Sequence, residues 1–316
     1  MPIRVFVVAM IGLVAAALAV ATGTGEQAET EASSAEMAQM GLEAPALAEQ
    51  VAAGTLPPLA ERLPAEPYVV QPFGETGRYG GDLRRVYRTA SDGLAYGRLA
   101  METLLRFSPG QGTAVEPNIA RDFSVSDDGT SITVYLREGM RWSDGEPFTA
   151  DDIMFWYEDW AINEELNPSP PTWMTVGGEP GVWEKIDDYT VRLTFPGVNG
   201  LAARQLADPS GSSRGMGRMM PKHYLSQFHP SHQTKEKLDE MVAAAELDSW
   251  MDLFSDRNNY FLNADLPVLD AWDITVAAPA ARVIAERNPY YWKVDTEGHQ
   301  LPYMDASSMT RWRTRS

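Results

Sequence analysis

Three stretches of this 316-residue chain carry residue types that could do chemistry. Gly211-Ser212-Ser213-Arg214-Gly215 has the G-x-S-x-G spacing of a hydrolase elbow, where a strained turn between a strand and a helix exposes a nucleophilic serine. Asp208-Pro209-Ser210 precedes it, and Gly217 and Pro221 follow, so the pattern is framed as a glycine-rich loop and Ser213 lacks its elbow. His223, His229 and His232 lie in the run HYLSQFHPSH, and neutral imidazoles ligate metals. Their spacing is not the i, i+4 of a helical zinc pair, and Pro230 breaks the segment. They read as a solvated or hydrogen-bonded loop, and no metal is expected. Asp151-Asp152 resembles an acid–base pair, but neighbours on a helix point about 100° apart. Gly74, Gly77, Gly80 and Gly81 lack the Gly-Lys-Ser/Thr of a phosphate loop and serve turns instead. No catalytic residue and no cofactor are expected.

The surrounding elements explain these residues better than catalysis does. Phe123 and Val125 alternate with polar neighbours, Asp127-Asp128-Gly129-Thr130 forms a turn, and Ile132, Val134 and Leu136 resume the alternation. That pattern predicts an antiparallel hairpin. A second turn at Trp142-Ser143-Asp144-Gly145 leads to Thr149, placed to cap a helix whose first turn holds Asp151 and Asp152. Ile153, Trp156, Tyr157 and Trp160 fall on one helical face and read as core, with ligand stacking the lesser reading. A further hairpin is predicted around Asp187-Asp188, short helices over Leu201–Ala207 and after Thr234, and strands over Trp272–Val276 and Ala281–Glu286. A first strand is expected around Leu83, Val86 and Tyr87, followed by a helix whose face carries Tyr96, Leu99, Ala100, Thr103, Leu104 and Phe107. The fold class is mixed α/β.

Composition narrows the function. Net charge is −18, which opposes phosphate binding and disfavours a nucleic-acid partner. Residues 1–21 read as a signal peptide: Arg4, an apolar run from Val5 to Ala21, and A-x-A sites at Ala17-Leu18-Ala19 and Ala19-Val20-Ala21. The run is short for an uncleaved membrane anchor, the alternative. There is no cysteine, hence no disulfide and no lipid-anchoring cysteine, so a periplasmic protein is expected. Residues 22–78 read as an acidic, proline-rich extension and linker, weakly helical from Met40 to Gly54, and the ordered body is expected from Tyr79-Gly80-Gly81.

Several runs together resemble the family 5 extracellular solute-binding proteins of ABC importers. They are Tyr79-Gly80-Gly81, Glu116–Ala120 (EPNIA), Ser126–Thr130 (SDDGT), Leu136–Gly145 (LREGMRWSDG), Pro147–Ile153 (PFTADDI) and Glu286–Asp295 (ERNPYYWKVD). The resemblance covers residues 79 to 305. It implies a type II-like periplasmic binding fold: a mixed sheet lobe over residues 79–305, with a hairpin-rich subdomain over about residues 94–195. It further implies a monomer that captures a small solute, peptide or oligosaccharide-like, and delivers it to an ABC permease. By family position, Tyr96 and Trp272 are the expected ligand-binding residues, although Leu269-Asp270-Ala271-Trp272 replaces the usual Gly-Thr-Gly-Pro. The family runs longer, so a truncated chain with its second lobe missing is expected, binding weakly or not at all. Residues 306–316 are expected to be an aberrant basic tail without strand alternation. The alternatives are an exported serine hydrolase using Ser213 and a nonfunctional fragment.

Overall fold

A computed structural model describes residues 41–89, 92, 101–110, 112–208 and 219–312. Its strands, in chain order, are β1 (Tyr68–Val70), β2 (Asp82–Tyr87), β3 (Leu105–Phe107), β4 (Val115–Pro117) and β5 (Ala120–Val125). There follow β6 (Ser131–Leu136), β7 (Thr175–Val176), β8 (Glu179–Pro180), β9 (Val182–Asp187) and β10 (Thr190–Thr194). The last four are β11 (Trp272–Val276), β12 (Arg282–Arg287), β13 (Lys293–Asp295) and β14 (Ala306–Arg311).

Two four-stranded sheets organise the body. One has the order β5-β6-β10-β9 and is antiparallel throughout. Its alternation is the one legible in the sequence: Ile132, Val134 and Leu136 are fully buried, with Val191 opposite Val134 and Leu193 opposite Ile132. Gly129 turns the β5–β6 hairpin at φ +66, where a side chain would be strained. The helix Ala150–Phe155 follows, with the predicted cap: Thr149 accepts from the Asp151 N–H, and Asp152 reaches back to the Thr149 N–H. The helix then widens into a π-helical turn over Trp156–Ala161. Trp156 is buried there, stacked on Trp173 at 6.2 Å and edge-on to Trp183 at 6.5 Å, so the aromatic stripe is core.

The other sheet has the order β11-β12-β14-β2, with β14 parallel to β2 and antiparallel to β12. This corrects the expectation of a strandless tail. Ala306–Arg311 is an interior strand, with Met309 opposite Val283 on one side and Arg85 on the other. Its inner positions include Ser307 and Ser308, both buried, so hydrogen bonding on both edges replaces the apolar alternation that the sequence lacks.

The linker expectation is also corrected. The helix Pro45–Ala52 forms as read, but the chain beyond it is packed rather than extended. A four-residue helix, Leu59–Arg62, follows, and β1 lies parallel to β13. The Arg62 side chain is fully buried and donates to the carbonyls of Pro57 and Pro289, to Gln300 and to Glu43. The helix expected across Tyr96–Phe107 is replaced, where described, by an irregular segment and β3. The backbone N–H groups of Asn118 and Ala120 bond to the Leu104 carbonyl, and that of Ile119 to the Thr103 carbonyl. Long-range pairing wins over local periodicity at this point.

Candidate ligand-binding site

The segment Val268–Trp272, which carries one of the two expected ligand residues, is held from four directions. The turn at Ser143 brackets its start: the Ser143 N–H donates to the Val268 carbonyl at 3.0 Å, and the Val268 N–H to Ser143 Oγ at 3.1 Å. Asn288, fully buried, donates through Nδ2 to the Asp270 carbonyl at 2.9 Å, and its own N–H bonds to the Ala271 carbonyl. The Trp292 indole donates to the Leu269 carbonyl at 3.2 Å. Asp270 Oδ1 accepts from the Glu102 N–H at 3.2 Å. The two motifs ERNPYYW and RWSDG therefore meet on this one segment, which no local pattern in either run foretells.

Glu102 lies at the centre of a buried polar knot. Its carboxylate accepts from Tyr291 OH at 2.6 Å, from Lys293 Nζ at 2.8 Å and from Asn118 Nδ2 at 2.9 Å. Burial pushes the Lys293 ammonium below its ordinary pKa, against the pull of Glu102. Burial, reinforced by the Glu102 charge, holds the Tyr291 hydroxyl protonated. Arg137, from the LREG run, spans the same region: it donates to the carbonyls of Asn118, Ala120 and Glu66, and burial lowers its pKa to about 10. A cavity of ≈ 20 Å³, room for about one water molecule, lies among Glu102, Trp142, Met219, Asn258, Leu266 and Asp270.

Trp272 opens β11 with 8% of its surface exposed, and its indole donates to the Met304 carbonyl at 3.2 Å. Tyr96 and Ser213 lie outside the described residues. Asp151 and Asp152 part company: Asp151 pairs with Lys185 at 3.1 Å, whereas Asp152 is buried and accepts from the N–H groups of Thr149 and Lys222. Of the histidines, His223 pairs with Asp144 at 2.8 Å, while His229 and His232 converge on Asp159. Sequence reasoning missed Glu102, Lys293, Asn288 and Arg62. The available signal was a single charge inside an apolar run, as with Glu102 in LAMETLL and Lys293 between Trp292 and Val294.

Asp273, next to Trp272, is pushed up to about 6 by burial, despite a hydrogen bond from Ser143; Asp144 and Glu286 add like charge. Asp152 is likewise raised to about 6 by burial. A carboxyl whose folded pKa exceeds its unfolded value stabilises the fold while protonated, and that contribution is lost as pH rises through the folded pKa. Each group is therefore expected to reduce stability by up to about 3 kcal/mol between pH 4 and pH 7. Asp273→Asn should flatten its share of that slope while still accepting from Ser143. Unfolding midpoints measured across this range check it, and parallel profiles for the parent and the variant would contradict it.

Solved structures fix the class. The chain superposes on the oligopeptide-binding protein OppA with a TM-score of 0.79 at 37% identity, over 86% of this chain and 41% of that one. It superposes on the periplasmic binding protein MelB of Agrobacterium fabrum in complex with stachyose with a TM-score of 0.68 at 30% identity, over 85% and 40%. The fold is thus that of a periplasmic binding protein, in its mixed α/β form. Residues 114–310 match the bacterial extracellular solute-binding proteins, family 5, middle region, and the chain belongs to that family. A curated relative, the periplasmic alpha-galactoside-binding protein of Rhizobium meliloti, is 34% identical over 275 residues, covering 81% of this chain and 37% of its own length. The chain thus spans about two fifths of the length of these relatives. The family match runs to residue 310, in agreement with the strand found at Ala306–Arg311. Among the described residues no helix is long and apolar enough to cross a membrane.

Proposed function

We propose that this chain supplies one wall of the solute site of an ABC importer's binding protein, which captures a peptide or oligosaccharide-like solute in the periplasm and passes it to a membrane permease. The observation that carries this reading is the family match over residues 114–310, which contains the segment Val268–Trp272 and the Asn288 and Trp292 contacts that help fix it. The named relatives divide between oligopeptide and galactoside binders, and both solute classes are kept. Trp272 and Tyr96 are the proposed ligand contacts. Export by residues 1–21 and a monomeric state belong to the same proposal. The reading as a serine hydrolase gains no support from a family of solute-binding proteins.

A binding site that holds a solute well encloses most of its surface. One wall alone is therefore expected to bind only in the millimolar range. Saturation-transfer NMR with stachyose and with a short-peptide mixture tests this on the purified chain. Transfer to one class is expected. No transfer to either class at millimolar concentration would overturn the solute-binding reading, and micromolar affinity would overturn the single-wall reading.

A further inference from the structure

Outside the region just described, Asp159, His229 and His232 bring their ligand atoms within 4.8 Å of one another. We propose that these three residues form a binding site for a divalent first-row transition ion, zinc in the first instance. Asp159 Oδ2 lies 2.9 Å from His232 Nε2, and Oδ1 lies 3.4 Å from His229 Nδ1. Ligands about 2.1 Å from a tetrahedral ion stand about 3.4 Å apart, so the Asp159–His229 distance already matches one edge and the shorter Asp159–His232 distance must open slightly. Two imidazoles and one carboxylate form a donor set suited to zinc.

The elements that bring them together are unrelated in sequence. Asp159 projects from the π-helical turn Trp156–Ala161, a local widening that often accompanies function. His229 and His232 follow the 3₁₀ turn Ser226–Phe228. Aromatic rings fix both imidazoles: Trp250 meets His229 edge-on at 5.0 Å, and Phe155 lies 5.7 Å from His232. His229 is 1% exposed and the Asp159 side chain 12%, whereas the His232 side chain is 32% exposed. An ion would therefore enter past His232 and keep its fourth position toward solvent.

The tautomer of His229 supplies the physical argument. Unprotonated, Nδ1 spends its one lone pair on the Ser231 N–H at 3.2 Å while lying 3.4 Å from the carboxylate oxygen Oδ1. An unprotonated Nδ1 facing a carboxylate oxygen in a buried place needs either a proton or a metal cation between them. A proton and a metal ion on Nδ1 both displace the Ser231 N–H, and the proton is the strong competitor because Asn163 Nδ2 faces Nε2 as a donor. The far nitrogen decides the affinity. With a metal on Nδ1 the ring proton sits on Nε2, which faces Asn163 Nδ2 at 3.2 Å, a donor against a donor. Asn163 cannot simply turn over, because its Oδ1 holds the N–H groups of Glu165 and Leu166. Binding by the natural chain is therefore expected to be micromolar. Asn163→Asp, which keeps Oδ1 and adds an acceptor for Nε2–H, should tighten it.

Calorimetric titration of the metal-stripped full chain with zinc is the test, with circular dichroism confirming the fold of each variant. One equivalent of zinc is expected, with a loss of affinity of about 10-fold or more in His232→Gln. A gain is expected in Asn163→Asp, and no change in His223→Ala, whose ring pairs elsewhere with Asp144. Because His232 is one-third exposed, its replacement leaves the core packing intact. No binding at micromolar zinc, unchanged affinity in His232→Gln, or unchanged or weaker affinity in Asn163→Asp would overturn the proposal.

Discussion

Replacing Glu102 by alanine is expected to lower the stability of the chain by about 3–5 kcal/mol, the usual cost of leaving one member of a buried ion pair alone. The mechanism is specific. Lys293 Nζ loses the carboxylate it pairs with at 2.8 Å, in a place where the side chain is 8% exposed. The Tyr291 hydroxyl and the Asn118 amide lose an acceptor in the same step. The faces of Tyr68 and Trp292, 5.2 and 4.7 Å from the ammonium, compensate only in part. Because the Glu102 N–H also fixes Asp270, loosening here should spread to Val268–Trp272. Chemical unfolding followed by tryptophan fluorescence measures the loss. A double variant, Glu102→Leu with Lys293→Met, should regain part of it, since an apolar pair leaves no charge uncompensated. A single variant within about 1 kcal/mol of the parent would show that water reaches Lys293 and that the knot is not dry.

Arg62→Met should cost a comparable amount, about 3–5 kcal/mol, though the element it removes is different. Its guanidinium joins four partners far apart in sequence: Glu43, Pro57, Pro289 and Gln300. Methionine fills the volume but leaves the Glu43 carboxylate, 6% exposed, without its cation. Burial already lowers the Arg62 pKa against the attraction of Glu43, so the pair is held by geometry rather than by solvent. The helix Pro45–Ala52, whose Leu47 and Val51 share a cluster with Leu56, Tyr79 and Tyr290, should detach first. Limited proteolysis should then cut within residues 41–62 before the sheets unfold. If residues 22–78 were a free linker, the substitution would change neither stability nor the order of cleavage.

The same contrast separates what was legible in the residues from what was not. The hairpins β5–β6 and β9–β10, the Thr149 capping box and the strand at Leu83–Tyr87 could all be read, because their causes lie within a few residues: period-2 burial, a glycine at positive φ, a hydroxyl before a helix. The helix expected through Leu104 failed because the backbone of residues 103–104 pairs with residues 118–120. The strand β14 escaped notice because an interior strand flanked on both edges does not need apolar alternation when serines are buried in it.

For the candidate sites the division is sharper. The motif runs identify the family, yet Arg137, Asn288 and Trp292 within them fasten backbone carbonyls of distant segments. His229 and His232 looked unfit for a metal by their spacing, and only folding adds Asp159, 70 residues before His229, as a third ligand. By itself the sequence determined the local elements and the family to which they belong. The tertiary structure decided which charges are buried together, because a buried charge is fixed by partners that the chain brings back from a distance, and no local pattern records that return.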